Sequence, residues 1–191
     1  MADELTGGKV AFLVANEGVE QVELTEPCQA VRDAGAQPVL IAAEGGTVHA
    51  FHHLDRADTF EADLASADAN ADDYVGLVLP GGVANPDFLR THDASVALVR
   101  GFAAGGRPIA VICHGPWTLI EADVVDGRRM TSWPSLQTDL RNAGADWVDE
   151  EVVVCHAGPF PLVSSRKPDD LPAFCEAFVT MISESMASPR R

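Results

Sequence analysis

"PIAVICHGPW", residues 108–117, is the most informative stretch of this sequence. Its first half is a short apolar run, which is typical of a strand buried on both faces of a parallel sheet. The run stops at Cys113 and His114, and Gly115 and Pro116 follow at once. Because proline is well tolerated in the first turn of a helix, the pattern predicts a strand, a sharp turn and a helix start. A nucleophile elbow has this layout, with a reactive side chain on the turn.

Similar apolar runs recur along the chain and alternate with segments of helical spacing. The predicted strands are 10–15, 38–44, 74–80, 108–113, 151–155 and 161–165. The predicted helices are 22–34, 93–104, 117–125 and 136–143, followed by a C-terminal helix capped by Asp169 or Asp170. This alternation predicts an α/β fold in which helices cover both faces of a mostly parallel sheet. Residues 45–73 are polar and weakly periodic, and we expect a small hairpin and a surface segment there.

The size and the charge of the chain limit the classes of function that it can have. A chain of 191 residues with 47% hydrophobic content predicts one domain, residues 1–191. The formal charge of -16 disfavours binding to nucleic acid and to anionic membranes, because both are negatively charged. The N-terminus has no basic region followed by an apolar one, and no run is long enough to span a membrane. We therefore expect a cytoplasmic protein with no membrane partner.

The cysteines and histidines do not indicate a metal centre. Cys28, Cys113, Cys155 and Cys175 are widely spaced and form no C-x-x-C pair, so we expect free thiols rather than a zinc ribbon or a redox disulfide. The "HAFHH" segment, residues 49–53, has no fixed ligand spacing and favours a surface loop. We predict no metal and no cofactor.

The predicted sheet brings chemically active residues to one edge. In open parallel sheets, ligands bind beyond the carboxyl ends of the strands. The residues that follow these ends are Glu17, Glu20, Glu23, Glu26, Gly81, Gly82, Cys113 and His114. A thiol at a helix N-terminus is expected to be acidic and reactive, because free N–H groups and the helix dipole favour the thiolate. An inert buried cysteine is the alternative, and the convergence of acids and glycines on the same edge disfavours it.

Residues near the thiol supply the other groups that a nucleophilic cysteine needs. The N–H groups of Gly82 and His114 are candidate donors to an oxyanion. Gly81, Gly115 and Trp117 are candidates for substrate binding.

Five motifs, "VLPGG", "VICHGPW", "GRRMTSWP", "TDLRNAGADWVDEEVVV" and "SSRKPDDLPAF", resemble the PfpI-type intracellular protease family. That family is part of the superfamily of the parkinsonism-associated deglycase. The resemblance runs from about Lys9 to Phe178. It implies a flavodoxin-like three-layer sandwich of the class I glutamine amidotransferase type, oligomers built on a dimer with the site near the interface, and a nucleophilic cysteine on the elbow.

The resemblance also implies roles for single residues. Cys113 and His114 match the family's Cys-His pair. Glu23 matches a buried acid thought to be protonated, so that it donates a hydrogen bond to the thiolate, and Glu20 could share its face. Asp87, in "PGGVANPDFLR", matches an acid that orients the histidine of a neighbouring subunit.

Two segments depart from the family pattern. The loop "ANEGVEQ" is one residue longer than usual, and we expect it to reshape the mouth of the pocket. The turn "CHAGPFP" is also longer and carries Cys155 and His156, which we interpret as a hairpin-tip variation rather than a second catalytic pair.

Three functions are compatible with these residues. The first is a Cys-dependent hydrolase of the stress response that acts on small carbonyl compounds or glycated protein side chains, as a deglycase or a glyoxalase-like enzyme does. The second is a redox sensor whose Cys113 is oxidised to sulfenic or sulfinic acid. The third is a cysteine peptidase of PfpI type, which depends on Asp87 reaching His114 of another subunit.

Overall fold

The computed structural model describes residues 4–187 and is built from twelve strands and six helices within that range. The strands are β1 (Lys9–Val14), β2 (Glu17–Glu20), β3 (Gln37–Ala42), β4 (Thr47–His52), β5 (Asp55–Glu61), β6 (Leu64–Ala65), β7 (Gly76–Leu79), β8 (Ile109–Ile112), β9 (Arg129–Met130), β10 (Asp146–Trp147), β11 (Val152–Cys155) and β12 (Leu162–Ser165). The helices are α1 (Gln21–Asp33), α2 (Ala84–Leu89), α3 (Asp93–Ala104), α4 (Pro116–Glu121), α5 (Gln137–Asn142) and α6 (Leu171–Ala187).

Seven of the strands form the central sheet, in the order β11-β12-β8-β7-β1-β3-β6. Neighbouring strands are parallel except at one edge, where β11 runs antiparallel to β12. Two small sheets flank it: β2, β4 and β5 form one, and β9 and β10 form the other. The prediction of a mostly parallel α/β sheet is confirmed.

The sheet is covered on both faces because its strands are apolar on both sides. In β1, Val10 and Phe12 belong to the core that contains the buried residues of α1 and α6. Ala11 and Leu13 belong to the opposite core, which contains the buried residues of α2, α3, α4 and α5. Successive side chains of a strand point to opposite faces, so one apolar run supplies both cores. The result is the predicted flavodoxin-like three-layer sandwich.

Local geometry explains where the elements differ from the sequence prediction. The helix predicted at 117–125 ends at Glu121, because Asp123 adopts the left-handed conformation with a φ of 58°. The short elements β2 and α2 lacked a recognisable periodicity and were not predicted. The hairpin expected within 45–73 is formed by β4 and β5, and β2 pairs in parallel with β4.

The topology places the ends of β1, β7 and β8 side by side, because the three strands are parallel neighbours. The loop after each strand therefore opens on the same edge of the sheet, as the sequence analysis expected. Within residues 4–187, no helix is both long and apolar enough to cross a membrane.

Candidate active site

Cys113 lies on a strained turn that neighbouring elements hold in place. Its φ is 62°, in the left-handed region that non-glycine residues rarely adopt, at a cost of about 1–3 kcal/mol. The Cys113 N–H donates to the Ser165 carbonyl at 3.1 Å, and the Cys113 carbonyl accepts from the Trp133 N–H at 2.9 Å. These two hydrogen bonds join the turn to the end of β12 and to the segment after β9, and so hold the elbow in the strained conformation.

Gly115 allows α4 to start directly against the sheet. It is the N-cap of α4 with an ordinary helical φ of -48°, so its lack of a side chain matters for packing rather than for backbone conformation. A Cβ at this position would lie 2.7 Å from the Leu79 carbonyl oxygen and 2.9 Å from the Ile112 carbonyl oxygen. Only glycine therefore lets the helix begin this close to the ends of β7 and β8.

Glu23 is fully buried in the first turn of α1, and its carboxyl reaches the loop after β7. Its Oε2 accepts the Gly81 N–H at 2.7 Å. A Cβ on Gly81 would lie 2.5 Å from this oxygen and 2.6 Å from the Cys113 Cβ, so only glycine lets the acid and the thiol approach each other here. The other carboxyl oxygen, Oε1, is buried without a well-formed hydrogen bond to residues 4–187. Glu23 thus has one oxygen anchored to the glycine loop, and its carboxyl also meets the Cys113 thiol.

The protonation of this group of side chains is governed mainly by burial. Loss of water raises the pKa of Glu23, the Gly81 N–H lowers it and the nearby charge of Glu20 raises it, and the net pKa is about 8. Glu23 is therefore mainly protonated at neutral pH. Burial lowers the pKa of His114 to about 4, so that its imidazole is neutral at the same pH.

The pKa of the Cys113 thiol differs from the sequence expectation. The helix N-terminus predicted an acidic thiol, but burial raises the pKa of Cys113, and ionised Glu23 would raise it further. The backbone N–H groups of His114 and Gly82 donate toward the sulfur and lower the pKa, although burial outweighs them. The two predicted oxyanion donors thus converge beside the sulfur. We expect Cys113 to be a thiol at rest that loses its proton to a base during reaction.

His114 is placed to act as that base. Its Nδ1 lies 3.2 Å from the Cys113 Sγ, and its Nε2 lies 3.4 Å from the Ser135 Oγ. Its ring packs between two indoles, with ring centroids 5.3 Å from Trp117 and 5.8 Å from Trp133. This packing fixes the imidazole beside the sulfur within one subunit.

The sulfur borders a cavity of about 250 Å³. Its wall is formed by Glu20, Glu23, His53, Leu54, Gly82, Val83, Cys113, His114, Trp133 and Pro168. Gly81, Gly115 and Trp117, which were candidates for substrate binding, are absent from this wall. Gly81 and Gly115 allow close packing beside the thiol, and Trp117 packs against the His114 ring. Contact of these three residues with a substrate stays a prediction.

Sequence reasoning missed five residues of the wall: His53, Leu54, Val83, Trp133 and Pro168. His53 and Leu54 form the tip of the β4–β5 hairpin, far from Cys113 in sequence. The histidine-rich segment was the one available signal, and it had been interpreted as a surface loop. Trp133 is adjacent to the elbow only because its N–H bonds to the Cys113 carbonyl.

Asn85 is a further residue that sequence reasoning missed, and it holds the glycine loop in position. Its side chain is fully buried and accepts the Ala15 N–H at 2.6 Å. It also donates to the carbonyls of Pro80 and Gly81, at 2.9 and 3.0 Å. Asn85 thereby links the end of β1 to the loop that carries the Glu23 contact.

Two predicted residues lie away from the thiol in this subunit. Asp87 is exposed on α2, and no hydrogen bond or ion pair joins it to His114 within the described chain. Its approach to a second copy stays a prediction. Cys155 pairs with Leu162, which pairs with Ile109 at the start of β8, so Cys155 and His156 lie at the opposite end of the sheet from Cys113.

The turn between β11 and β12, which carries His156, is held by Arg128, which donates to the carbonyls of Ala157 and Phe160. Across residues 4–187, no three His, Cys, Asp or Glu side chains form a group that could hold a metal ion.

Comparison with known proteins shows the family to which the chain belongs. Residues 8–181 match the model of the DJ-1/PfpI family. The chain is 40% identical over 167 residues to "General stress protein 18" of Bacillus subtilis, covering 87% of this chain and 94% of the relative. It is 40% identical over 174 residues to "Deglycase PH1704" of Pyrococcus horikoshii, covering 91% and 99%.

A similar solved structure is a two-domain protein from Anabaena variabilis with DJ-1/ThiJ/PfpI-like and ferritin-like domains. The TM-score is 0.84 at 32% identity, and the match covers 96% of this chain and half of that longer chain.

The contact between Glu23 and Cys113 predicts how the thiol titrates. Replacing Glu23 with glutamine removes the carboxylate charge that raises the thiol pKa, and an amide N–H can donate to the sulfur instead. Glu23→Gln is therefore expected to move the pH midpoint of Cys113 alkylation by iodoacetamide to lower pH, as followed by peptide mass. Glu26→Gln, at an exposed position one turn along α1, is the control and should leave the midpoint in place. A midpoint that stays or rises in Glu23→Gln contradicts this account.

Burial of Glu23 also predicts a pH-dependent stability. Its folded pKa of about 8 lies above the ordinary value of 4.5, so folding favours the protonated carboxyl. That contribution is fully present below about pH 4.5 and is lost as the pH rises toward 8, by up to roughly 1.4 kcal/mol per pH unit. Relative to wild type, Glu23→Gln should therefore become more stable by at least about 1 kcal/mol between about pH 5 and pH 8 in urea unfolding. An equal difference at both values would show that Glu23 is not buried as an acid.

Proposed function

Because the chain belongs to the DJ-1/PfpI family, we propose that it is an enzyme that removes glyoxal-type carbonyl adducts from amines and thiols, with Cys113 as its nucleophile. One observation carries the proposal. The Cys113 sulfur lies 3.2 Å from a neutral imidazole and beside a protonated carboxyl, at the wall of a small cavity. A nucleophile, a base and an acid are thus available around one ligand position. The deglycase named among the relatives supports this choice of reaction.

Each group around the sulfur has a separate role in the first covalent step. As the sulfur attacks an aldehyde carbon, the His114 Nδ1 takes the thiol proton, and the new C–S bond forms while the C=O bond becomes a C–O single bond. The developing oxyanion is stabilised by the N–H groups of Gly82 and His114. The protonated Glu23 carboxyl adds a further donor, because a buried neutral acid can give a hydrogen bond where a carboxylate cannot.

The rest of the reaction needs no external oxidant or reductant. In the hemithioacetal of a 2-oxoaldehyde, the carbinol C–H proton leaves to a base and a proton is returned to the neighbouring carbonyl carbon, while the carbinol O–H proton is transferred to the ketone oxygen. The carbinol is thereby oxidised to a thioester as the ketone is reduced to an alcohol. Water then cleaves the C–S bond, releasing a 2-hydroxy acid and the Cys113 thiol. His114 and Glu23 are the groups beside the sulfur that can move these protons.

The dimensions of the site favour this reaction over peptide hydrolysis. Cys113 is only 7% exposed, and the cavity of about 250 Å³ suits a small carbonyl compound or the end of one modified side chain. An extended polypeptide requires an open groove at the nucleophile. The peptidase hypothesis further requires Asp87 to be supplied by a second subunit, so we rank it below the carbonyl reaction.

Turnover of methylglyoxal-treated N-acetylcysteine and N-acetyllysine tests the proposal. Wild type should produce lactate from both, and Cys113→Ala should lose at least about a hundredfold in rate. The control is Cys175→Ala, a half-buried cysteine on α6 that should retain activity. Equal rates for wild type and Cys113→Ala would exclude Cys113 as the nucleophile and with it the proposed function.

A second candidate function, oxidation sensing, is favoured by the same donors. A sulfinate on Cys113 could accept hydrogen bonds from the protonated Glu23 carboxyl and from the N–H groups of Gly82 and His114. Those donors are specific to Cys113, whereas burial raises the pKa of Cys28 and Cys175 to about 12 without such a set of donors.

Mild peroxide treatment tests the oxidation-sensing function. We expect the oxygen additions of sulfenic and sulfinic acid to appear first on the peptide that carries Cys113, as measured by mass spectrometry. In Glu23→Gln the sulfinate should still form, because an amide N–H replaces the carboxyl O–H as a donor. Earlier oxidation of Cys28 or Cys175 would contradict a sensing role for Cys113.

A further inference from the structure

The tip of the β4–β5 hairpin contributes a second histidine to the wall of the cavity beside Cys113. His53 and Leu54 form the two-residue connection between His52 and Asp55, which are paired across the hairpin. Both tip residues lie on the wall of the 250 Å³ cavity together with Cys113 and His114. Two histidines therefore border the cavity, His114 beside the sulfur and His53 on the hairpin tip, where its ring is largely exposed.

The tip is fixed by a buried carboxylate rather than by its own hairpin alone. Glu20, whose side chain is 9% exposed, accepts the His53 N–H through Oε2 at 2.9 Å. The backbone of His53 has a φ of 57°, which a hydrogen bond to a charged acceptor can hold in place. Glu20 thus positions the turn that carries His53.

The same carboxylate also lies near the ring without fixing it. The His53 Nδ1 lies 3.9 Å from the Glu20 Oε2, and the His52 Nδ1 lies 4.0 Å from Oε1. The His53 ring is 87% exposed, so the Coulombic attraction is weak and the ring keeps the freedom to meet a ligand. Nδ1 is the nitrogen on the Glu20 side, so Nε2 is the one left to meet a ligand. His52 has a similar relation to Glu20 but is absent from the cavity wall.

A deglycation reaction needs an acid that His114 does not readily supply. An amine leaves a carbinol carbon only if its nitrogen is protonated, because an amide ion is a very poor leaving group. The buried His114 is neutral at neutral pH and faces the sulfur, where its task is to accept a proton. A solvent-exposed imidazole beside a carboxylate can exchange protons with water and deliver one to the nitrogen.

We propose that His53, positioned by Glu20, is the catalytic acid that protonates the leaving amine when the substrate is an amine adduct. This inference rests on the proposed function. In the step, the C–N bond of the carbinol breaks, its O–H becomes the C=O of the aldehyde, and that proton passes to a base. The imidazolium of His53 gives its proton to the nitrogen, so the amine departs neutral. His53 then recovers a proton from water, and the aldehyde is left for Cys113.

The inference predicts a dependence on the leaving group. A thiol leaves as its thiolate, a stable anion because the thiol pKa is only about 8.5, whereas an amine must be protonated on nitrogen before it can leave. Loss of His53 should therefore slow the amine adduct far more than the thiol adduct. A role of the hairpin in shaping the cavity alone would slow both substrates alike.

The test compares lactate production from methylglyoxal adducts of N-acetyllysine and N-acetylcysteine in His53→Asn and in the matched control His52→Asn. Asparagine tolerates a positive φ and keeps the backbone N–H that binds Glu20. His53→Asn should lower the ratio of amine-adduct to thiol-adduct turnover at least about tenfold, and added imidazole should restore part of it. His52→Asn should keep the wild-type ratio. The rate of Cys113 alkylation in each variant reports that the site is folded.

The outcomes separate this inference from the proposed function. An unchanged ratio in His53→Asn, with Cys113→Ala inactive, overturns the role of His53 and leaves the nucleophile in place. Equal loss on both adducts also overturns it, since the hairpin would then only shape the cavity. Amine-adduct turnover in wild type that is no faster than spontaneous release of the amine overturns it as well. Wild-type rates in Cys113→Ala would instead reject the proposed function itself.

Discussion

The buried hydrogen bond between the Gly81 N–H and the Glu23 carboxyl is the contact on which the rest of the site depends. It joins the first turn of α1 to the loop after β7, and it brings an acid to the thiol at the end of β8. The contact requires glycine at position 81, because any Cβ there would meet both the carboxyl and the cysteine. Burial of the acid in this arrangement also keeps it protonated, and a neutral acid is compatible with a nearby thiolate or oxyanion.

The site is stabilised by the fold around it rather than by local preference. Cys113 occupies a backbone conformation that is unfavourable for its residue type, and hydrogen bonds from two separate segments hold it there. The side-chain oxygen of Asn85 binds the end of β1 and its side-chain nitrogen binds the glycine loop. His114 is held by two tryptophans, Trp117 from the first turn of α4 and Trp133 from the separate segment after β9. Strain at the reactive residue is therefore offset by contacts made elsewhere.

The protonation states of the side chains in the site are set by loss of water more than by pairing with opposite charges. The acid is pushed toward its protonated form and the imidazole toward its neutral form, so the thiol, the base and the acid can be uncharged together at neutral pH. Charges then develop only as the reaction proceeds, next to N–H groups that are already in position. Glu20 is the charged residue at the cavity, and its carboxylate is used by the hairpin tip. The proposed division of roles between His114 and His53 follows from this difference in surroundings.

The sequence by itself determined the alternating α/β order, the parallel sheet, the elbow at Cys113 and the edge at which the chemistry would lie. These follow from the period of apolar residues and from the rule that parallel strands end on one side, both of which are local or topological properties. The tertiary structure alone decided which residues line the cavity, since His53, Leu54 and Trp133 arrive through strand pairing and backbone contacts between distant segments. It also decided the protonation states. The helix N-terminus predicted an acidic thiol, whereas burial, which depends on everything packed around the sulfur, acts more strongly in the opposite direction.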